Sequence, residues 1–166
     1  MKKQEYTLLK DFLYEAIFIP AGHEQEGMKA PDRSIINQPE LQVYISDFGN
    51  KKDDLCFVAL VEENIIGAVW VRDMNDYGHI GDGIPSFAVS LYKEYRGYGI
   101  GTELMKRMLA ELKIRGYEQA SLSVQKENYA VGMYKKLGFE IVDENEEEYI
   151  MAIRFIKNDV DISEIL

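Results

Sequence analysis

A glycine-rich stretch between two apolar runs constrains this sequence more than any other feature. Its seven residues, Arg96 to Thr102, are Arg-Gly-Tyr-Gly-Ile-Gly-Thr. The preceding run, 87–92, is short, apolar and bounded by Pro85, as is typical of a buried strand. The following run ends at Gly116 and repeats its apolar residues at helical spacing. The pattern therefore predicts a strand that passes directly into a helix through alternate glycines.

This position suits the glycines to binding a pyrophosphate. The first turn of a helix has backbone N–H groups without internal partners and the positive end of the helix dipole, and glycine lets an anion approach them. A Walker A loop would need Lys-Ser/Thr after its last glycine, and that pair is missing. A dinucleotide fingerprint needs glycines at its first, third and sixth positions, whereas the sixth position here is Thr102. Neither nucleotide motif fits.

Length and composition indicate an ordinary globular protein. The 166 residues suit one domain, 1–166, with a sizeable core. No apolar run approaches the roughly 18 residues of a membrane span, and no signal peptide opens the chain. Cys56 is the only cysteine, so neither a disulfide framework nor a thiolate metal cluster is expected. These features favour a cytoplasmic location.

The net charge limits the partners. With 19 basic and 29 acidic residues the formal charge is −10, which argues against nucleic acid because phosphate binding needs a basic face. The charge is compatible with a cationic substrate, but a generally acidic, soluble surface is the preferred interpretation. His23 and His79 lie far apart in the sequence and are expected in loops or at the surface, so no metal site is predicted.

The order of predicted elements indicates the fold class. Helices are expected over 5–18, over 40–48, after the glycine stretch, and between Asn128 and Gly138; strands are expected over 56–61, 65–72, 87–92, 119–124, 139–142 and 149–155. The acidic run 144–148 is expected to be a solvated turn. The order α-α-β-β-β-α-β-α-β-β predicts an α/β fold with a sheet of mixed sense. The two strands that flank the long helix should be parallel.

Two motifs carry a resemblance to a known family. The glycine stretch resembles the acetyl-coenzyme A signature of the GNAT superfamily of N-acetyltransferases, Gln/Arg-x-x-Gly-x-Gly/Ala, with Arg96, Gly99 and Gly101 at its fixed positions. Downstream, Asn128-Tyr129-Ala130 followed by the segment from Tyr134 to Phe139 resembles the family's second motif. The two motifs stand in the family's order and at its usual separation.

The resemblance implies a fold and a set of site residues. The fold would be α/β, with a mixed, mostly antiparallel sheet, a splayed pair of central parallel strands (those of Phe87 and Ala120) and helices on both faces. Acetyl-coenzyme A would lie between the splayed strands as co-substrate, with no metal. The resemblance implies backbone hydrogen bonds to the pantetheine arm from Val89, Ser90 and Leu91, and a further contact to that arm from Asn128. The pyrophosphate would be bound by the whole glycine stretch: Arg96, Gly97, Tyr98, Gly99, Ile100, Gly101 and Thr102. Tyr134 would lie beside the sulfur as the catalytic residue.

Several of these residues also have a purely structural interpretation. Val89 and Leu91 suit a core strand on any hypothesis, Asn128 suits a helix cap, and Tyr134 lies on the apolar face of its predicted helix.

The sequence departs from the family's pattern in two places. Family members usually begin with a strand, whereas this chain begins almost directly with a helix. Many members also carry a glutamate on a central strand as general base, and the corresponding positions here hold Ser86 and Ser123. Glu15, His79 and Asp82 remain as alternatives that would act through water.

The resemblance implies direct transfer of acetyl from coenzyme A to a primary amine of a small molecule or peptide. The alternative is a sensor module that binds acetyl-coenzyme A without turnover. The acceptor is expected between the loop 21–37, the end of the first helix near Tyr14 and Glu15, and the loop 73–83, and it should be a cationic or neutral amine. No nucleic acid or membrane partner is expected, and whether the chain forms a homodimer is left open.

Overall fold

The structure is a computed structural model, and it describes residues 1–17 and 31–155. The helices are α1 (Leu9–Ala16), α2 (Pro39–Gln42), α3 (Ile100–Ile114) and α4 (Ala130–Lys136). The strands are β1 (Leu55–Val61), β2 (Asn64–Arg72), β3 (Ser86–Leu91), β4 (Gln119–Gln125), β5 (Glu140–Glu144) and β6 (Glu148–Arg154). Short 3₁₀ turns cover Lys3–Leu8, Arg33–Asn37 and Lys93–Tyr95.

The strands form one mixed sheet in the order β1-β2-β3-β4-β6-β5. Every neighbouring pair is antiparallel except β3 and β4, which are parallel. α3 makes the crossover between these two strands, as a parallel pair requires. The predicted mixed sheet, mostly antiparallel with one parallel pair, is confirmed.

The parallel pair separates almost as soon as it forms. Ser86 and Ser121 are the one aligned pair of β3 and β4, next to a hydrogen bond of 3.0 Å from the Ser121 amide to the Pro85 carbonyl. β3 continues to pair with β2, and β4 with β6, along their full lengths. The two strands therefore diverge beyond Ser86, and the sheet is open in its middle.

Helices cover both faces of the sheet, and β2 shows why. Val69 and Val71 belong to a core built with α3, while Ala68 and Trp70 belong to a second core built with α1. Alternate residues of a strand point to opposite faces, so a strand covered on both sides must be apolar throughout. The helices supply one core with Leu104, Met105, Met108, Leu112 and Tyr134, and the other with Leu9, Phe12 and Leu13.

The first helix differs from the prediction at its start. Residues 3–8 form a 3₁₀ turn, and the α-helix begins at Leu9. Residue 18, the predicted end, lies outside the described residues. Residues 1–17 contain no strand, so within the described part of the chain the sheet begins with β1.

The predicted helix 40–48 was too long, because α2 ends at Gln42. Arg72 accounts for the difference, since its Nη1 donates to the carbonyls of Val43 and Ser46 at 3.0 and 2.8 Å. Asp47 then adopts a left-handed φ of 52°. The spacing of apolar residues within 40–48 cannot predict that a buried arginine on a distant strand will bind two carbonyls of this segment.

In residues 1–17 and 31–155, no helix is long and apolar enough to cross a membrane. The same residues contain no cluster of three or more histidine, cysteine or acidic side chains arranged to hold a metal ion.

Candidate active site

A cleft of about 1090 Å³ occupies the gap between the splayed strands. Its walls are the diverging strand segments 87–91 and 122–125. Around them, the cleft is lined by the end of α1, the glycine stretch, the start of α4 and the turn between β5 and β6. The opening therefore brings together both motifs that the sequence analysis singled out.

The glycine stretch has a backbone conformation that suits an anion. Gly97 and Gly99 have φ angles of 83° and 80°, a left-handed conformation that side chains other than glycine seldom adopt. The first helical hydrogen bond of α3 runs from the Glu103 amide to the Gly99 carbonyl at 3.1 Å. The amides of 97–102 donate no hydrogen bond to the described residues, which leaves them for a ligand. This free set of amides at the positive end of a long helix fits a pyrophosphate.

The members of this stretch do not all face the cleft. Those that line it are Arg96, Gly97, Gly99, Gly101 and Thr102. Tyr98 is 78% exposed and lies outside the lining, and Ile100 packs against the core. The predicted role of Tyr98 and Ile100 in binding the pyrophosphate therefore depends on their backbone amides and not on their side chains.

Arg96 connects the glycine stretch to α1. Its guanidinium donates to the Leu91 carbonyl at 3.0 Å, to the Glu15 carbonyl at 3.0 Å and to the Glu15 carboxylate at 2.8 Å. The side chains of this ion pair are about a quarter to a third exposed, at 25% for Glu15 and 33% for Arg96. Arg96 thus fixes the end of α1 beside the cradle, in addition to lining the cleft.

The edge of β3 that faces the gap offers unpaired backbone groups. The Tyr92 amide donates to Ile66 on β2, so alternate residues of β3 turn their backbone groups toward β2. By this alternation, Val89 and Leu91 present theirs to the gap, whereas those of Ser90 face β2. The Ser90 hydroxyl donates to the Phe12 carbonyl at 2.6 Å. We therefore expect the pantetheine contacts to come from Val89 and Leu91, with Ser90 holding α1 in place.

Asn128 caps α4 and also lines the cleft. Its Oδ1 accepts a hydrogen bond of 2.9 Å from the Ala130 amide, which confirms the capping interpretation. Its Nδ2 makes no hydrogen bond to the described residues. A cap that uses only one end of the amide leaves the other end for the predicted pantetheine contact.

Tyr134 is a buried wall of the cleft. It is 8% exposed and packs edge-to-face against Phe139, with ring centroids 5.9 Å apart. Burial raises the pKa of its hydroxyl, and the nearby Tyr129 raises it further. The group therefore stays protonated at neutral pH and can act as a hydrogen-bond donor into the cleft.

The structure describes only part of the region in which the acceptor was predicted to bind. Residues 18–30, which include most of the loop 21–37 and His23, lie outside the described residues. Pro31 and Ile35 line the cleft, and the Tyr14 hydroxyl donates to the Pro31 carbonyl at 2.7 Å. Tyr77, from the loop 73–83, lines the cleft as well.

The candidate bases differ in their access to the cleft. Glu15 lines it, but Arg96 holds its carboxylate. His79 lies outside the lining, with Nδ1 3.0 Å from the Met74 carbonyl and Nε2 3.8 Å from Asp82. The Asp82 side chain is fully exposed. None of these three therefore points a free, sheltered basic group into the gap.

The two serines at the family's glutamate positions are each bound to a carboxylate. Ser86 donates to Asp76 Oδ2 at 2.7 Å, and Ser123 donates to Glu148 Oε2 at 3.0 Å. Tyr44 shares Asp76 Oδ2 at 2.8 Å, and Asp76 Oδ1 is buried without a hydrogen bond to the described residues. Neither carboxylate was predicted from the sequence, because neither lies near its serine along the chain.

Glu148 reaches the cleft because of the turn between β5 and β6. Asn145 Oδ1 accepts from the amides of Glu147 and Glu148 at 2.9 and 2.8 Å, which closes the turn. The Lys126 amide donates to the Glu147 carbonyl at 2.9 Å and fastens the turn to the end of β4. Glu148 begins β6, half-buried, and lines the cleft, so the predicted solvated turn 144–148 was wrong for this residue.

The end of the cleft beside Tyr44 and Tyr77 carries negative charge. Burial raises the pKa of the Tyr44 hydroxyl, and the charges of Asp76 and Glu148 raise it further. The pKa of Tyr77 is also raised, by partial burial and then by the charges of Glu40 and Glu148. These charges make this end of the cleft unfavourable for an anion.

The loop 73–83 packs directly against the sheet at the point where β3 and β4 diverge. A Cβ at Gly78 would lie 2.8 Å from three atoms: the carbonyl carbon of Leu122, the amide of Ser123 and the hydroxyl of Ser86. Two of these atoms are backbone and cannot give way. The loop backbone therefore rests directly on the sheet, and only glycine fits there.

We predict that Gly78→Ala lowers the free energy of unfolding by about 1–3 kcal/mol, as overpacking of a filled site does. Urea unfolding measures the change. Gly132→Ala is the matched control, because a Cβ there meets open space in the middle of α4 and should be neutral or stabilising by up to about 1 kcal/mol. A Gly78→Ala protein as stable as wild type would show that the loop does not press on the sheet.

Known proteins resemble this chain in sequence and in fold. The family model described as "Acetyltransferase (GNAT) domain" matches residues 20–157. An acetyltransferase of Pectobacterium atrosepticum is 37% identical over 109 residues, which are 64% of this chain and 71% of that protein.

Two solved structures share the fold. The PaiA N-acetyltransferase of Thermoplasma acidophilum, in complex with coenzyme A, has a TM-score of 0.65 at 18% identity and covers 93% of this chain and 96% of its own. YncA, a putative acetyltransferase of Salmonella typhimurium with acetyl-coenzyme A, has a TM-score of 0.62 at 14% identity over 95% of this chain and 92% of its own. With the splayed strands, the glycine cradle and a family match over most of its length, the chain belongs to the GNAT family of acetyltransferases.

Proposed function

We propose that this protein transfers the acetyl group of acetyl-coenzyme A to the nitrogen of a primary amine, in a small molecule or a peptide. The observation that carries the proposal is the cleft between β3 and β4, with unpaired amides at one end and an acidic, tyrosine-lined chamber at the other. Two similar structures hold coenzyme A or acetyl-coenzyme A, which supports the choice of acetyl donor.

Binding of the donor would use the backbone more than side chains. The amides of 97–102 would hold the pyrophosphate, and the free edge of β3 at Val89 and Leu91 would pair with the amides of the pantetheine arm. Asn128 Nδ2 would contact the arm from the other wall. An extended arm bound in this way would place the thioester deep in the gap, near the point where the strands part.

Acetyl transfer requires deprotonation of the amine and departure of the thiolate. The amine must be neutral to attack, and an alkylamine with a pKa near 10 loses its proton at pH 7 at a cost of about 4 kcal/mol. The thioester sulfur must then leave as a thiolate, and an alkyl thiol in water has a pKa of about 8.5. Tyr134 is suited to the second task, because its protonated hydroxyl can donate a hydrogen bond to the sulfur. Its raised pKa favours such donation over full proton transfer.

Release of free thiol from acetyl-coenzyme A, measured over a panel of amines, tests the proposal. The panel contains matched cationic, neutral and acidic acceptors. Cationic or neutral amines should give turnover, because the acceptor end carries carboxylates. Binding of coenzyme A without thiol release for any amine would instead favour a sensor, and acidic acceptors turning over best would contradict the assigned acceptor end.

We predict that Tyr134→Phe retains the fold and the affinity for coenzyme A while kcat falls by about tenfold or more, because a hydrogen bond to a charged group contributes about 1.5–3 kcal/mol. The ring still packs against Phe139, so only the hydroxyl is removed. The dependence of the rate on amine ionisation should not change, because Tyr134 does not deprotonate the amine. Steady-state kinetics measure the effect, with Tyr6→Phe, which does not line the cleft, as control. A near-normal kcat would make Tyr134 a core residue only.

A further inference from the structure

The acceptor end of the cleft contains a carboxylate that is fixed in position and still has a free oxygen. Glu148 Oε2 accepts the hydrogen bond of 3.0 Å from Ser123, and Oε1 accepts none from the described residues. Glu148 is half-buried in the lining, and no arginine or lysine of the described chain forms an ion pair with it. A carboxylate held by one oxygen keeps the other available for a ligand.

The position of Ser123 places this carboxylate near the reacting group. The strands part at the Ser86–Ser121 pair, and Ser123 stands two residues further along β4, on the wall of the gap. The thioester of a donor bound along β3 would lie in the same part of the gap. Glu148 therefore lies at the β4 wall of the gap, whereas the glycine stretch follows the β3 wall.

The other carboxylates are less well placed. Glu15 is paired with Arg96 at 2.8 Å, and Asp76 does not line the cleft. Glu147 lines the cleft but is exposed. The cations in the described lining are Lys93, just before the glycine stretch, and Arg96, its first residue. Lys126 lies near Glu148 but outside the lining, where its Nζ pairs with Glu144 at 2.6 Å, so no other cation of the described lining competes with a positive acceptor for Glu148.

We propose that Glu148 receives the acceptor nitrogen, pairing with it on binding and taking the proton that it loses on acetylation; this inference rests on the proposed function. The bound ammonium first gives one proton to Glu148 Oε1, which passes it to solvent. The lone pair of the resulting neutral amine then forms the C–N bond at the thioester carbon, and the carbonyl π pair moves onto its oxygen until the carbonyl re-forms. The C–S bond then breaks and its electron pair leaves with the sulfur. The nitrogen, positive after attack, gives one proton to Glu148 Oε1, which returns it to solvent. The products are the amide and coenzyme A, whose thiolate gains a proton from solvent.

The test compares Glu148→Gln with Glu146→Gln in the full chain. Glutamine keeps the length of the side chain and an oxygen for Ser123, so the fold and the stabilisation by coenzyme A should be retained. Glu146→Gln removes the same charge from the same turn, outside the cleft lining. We expect Glu148→Gln to lower kcat/KM for the amine by about 100-fold or more, with the KM for acetyl-coenzyme A within about twofold. Glu148→Asp, which keeps the carboxylate, should restore part of the loss.

Two further measurements separate proton transfer from a structural role. A weakly basic acceptor loses its proton readily to water, so the defect of Glu148→Gln should shrink as the pKa of the acceptor falls. Calorimetry measures the affinity of the best amine for protein saturated with coenzyme A. This affinity should be about tenfold lower for Glu148→Gln than for wild type, the order expected for loss of a charged partner.

The outcomes are distinguishable. A Glu148→Gln protein within about threefold of Glu146→Gln would overturn the role of Glu148 and leave the proposed function intact. A defect that is equal for all acceptors, with unchanged amine binding, would also overturn it, because Glu148 would then be structural. Wild-type protein that binds coenzyme A but acetylates no amine would overturn the proposed function and this inference together.

Discussion

Gly99→Glu is expected to abolish the stabilisation of the fold by coenzyme A. At about 100 times its dissociation constant, the ligand should raise the free energy of unfolding of the wild-type protein by about 2.7 kcal/mol. In the variant a carboxylate would stand beside the free amides at the start of α3, and the left-handed φ of 80° would be strained. Urea unfolding with and without coenzyme A measures the difference.

Gly116→Glu is a matched control for the strain. Gly116 has a φ of 82° and nothing within 4 Å of an added Cβ, as at Gly99, but it follows the other end of α3. Both variants should lose about 1–2 kcal/mol of stability from the left-handed conformation alone. Only Gly99→Glu should lose the response to coenzyme A. An equal response in both variants would place the cradle elsewhere.

Arg72→Met is expected to cause the largest loss of stability, about 3–5 kcal/mol, as removal of one partner from a buried ion pair does. Arg72 and Asp54 have side chains only 2% and 0% exposed, and two hydrogen bonds of 3.0 and 3.1 Å join them. The substitution leaves the Asp54 charge without its partner. It also removes the donor to the carbonyls of Val43 and Ser46.

A double-mutant cycle separates these contributions. Arg72→Met combined with Asp54→Leu removes both charges, so it should recover part of the loss, while the two carbonyls remain without a donor. Arg107→Met is the control, because its pair with Glu103 is exposed and should change stability by no more than about 0.5 kcal/mol. Urea unfolding gives the stability of every variant. An Arg72→Met protein within about 1 kcal/mol of wild type would mean that water solvates Asp54.

Features encoded by neighbouring residues were predicted well. The passage from β3 through the glycine stretch into α3 follows from apolar periodicity and alternate glycines, all within about thirty residues. The two strands 56–61 and 65–72 were likewise predicted, and they pair as β1 and β2 across a turn in which Glu62 and Glu63 have φ angles of 48° and 69°. A cap at Asn128 was one of two roles that its position suggested, and its Oδ1 accepts a hydrogen bond from the Ala130 amide at the start of α4.

Features that depend on distant residues were not predicted. The end of α2 is set by Arg72 on β2, which diverts two carbonyls from a helix. Glu148 belongs to an acidic run whose other members are exposed, and only its pairing across the sheet brings it to Ser123. No local pattern separates it from Glu144 or Glu147. Asp76 similarly lies in a polar loop, and its contacts with Tyr44 and Ser86 arise only in the fold.

Mass spectrometry of the acceptor after turnover tests the central claim most directly. The protein is incubated with acetyl-coenzyme A and the best amine from the thiol-release panel, and fragmentation locates the added group. Transfer of acetyl to nitrogen predicts one acetyl group on a primary amine, formed in step with free coenzyme A. Free acetate with an unmodified amine, or an acetyl group on a hydroxyl oxygen, would contradict the proposed reaction.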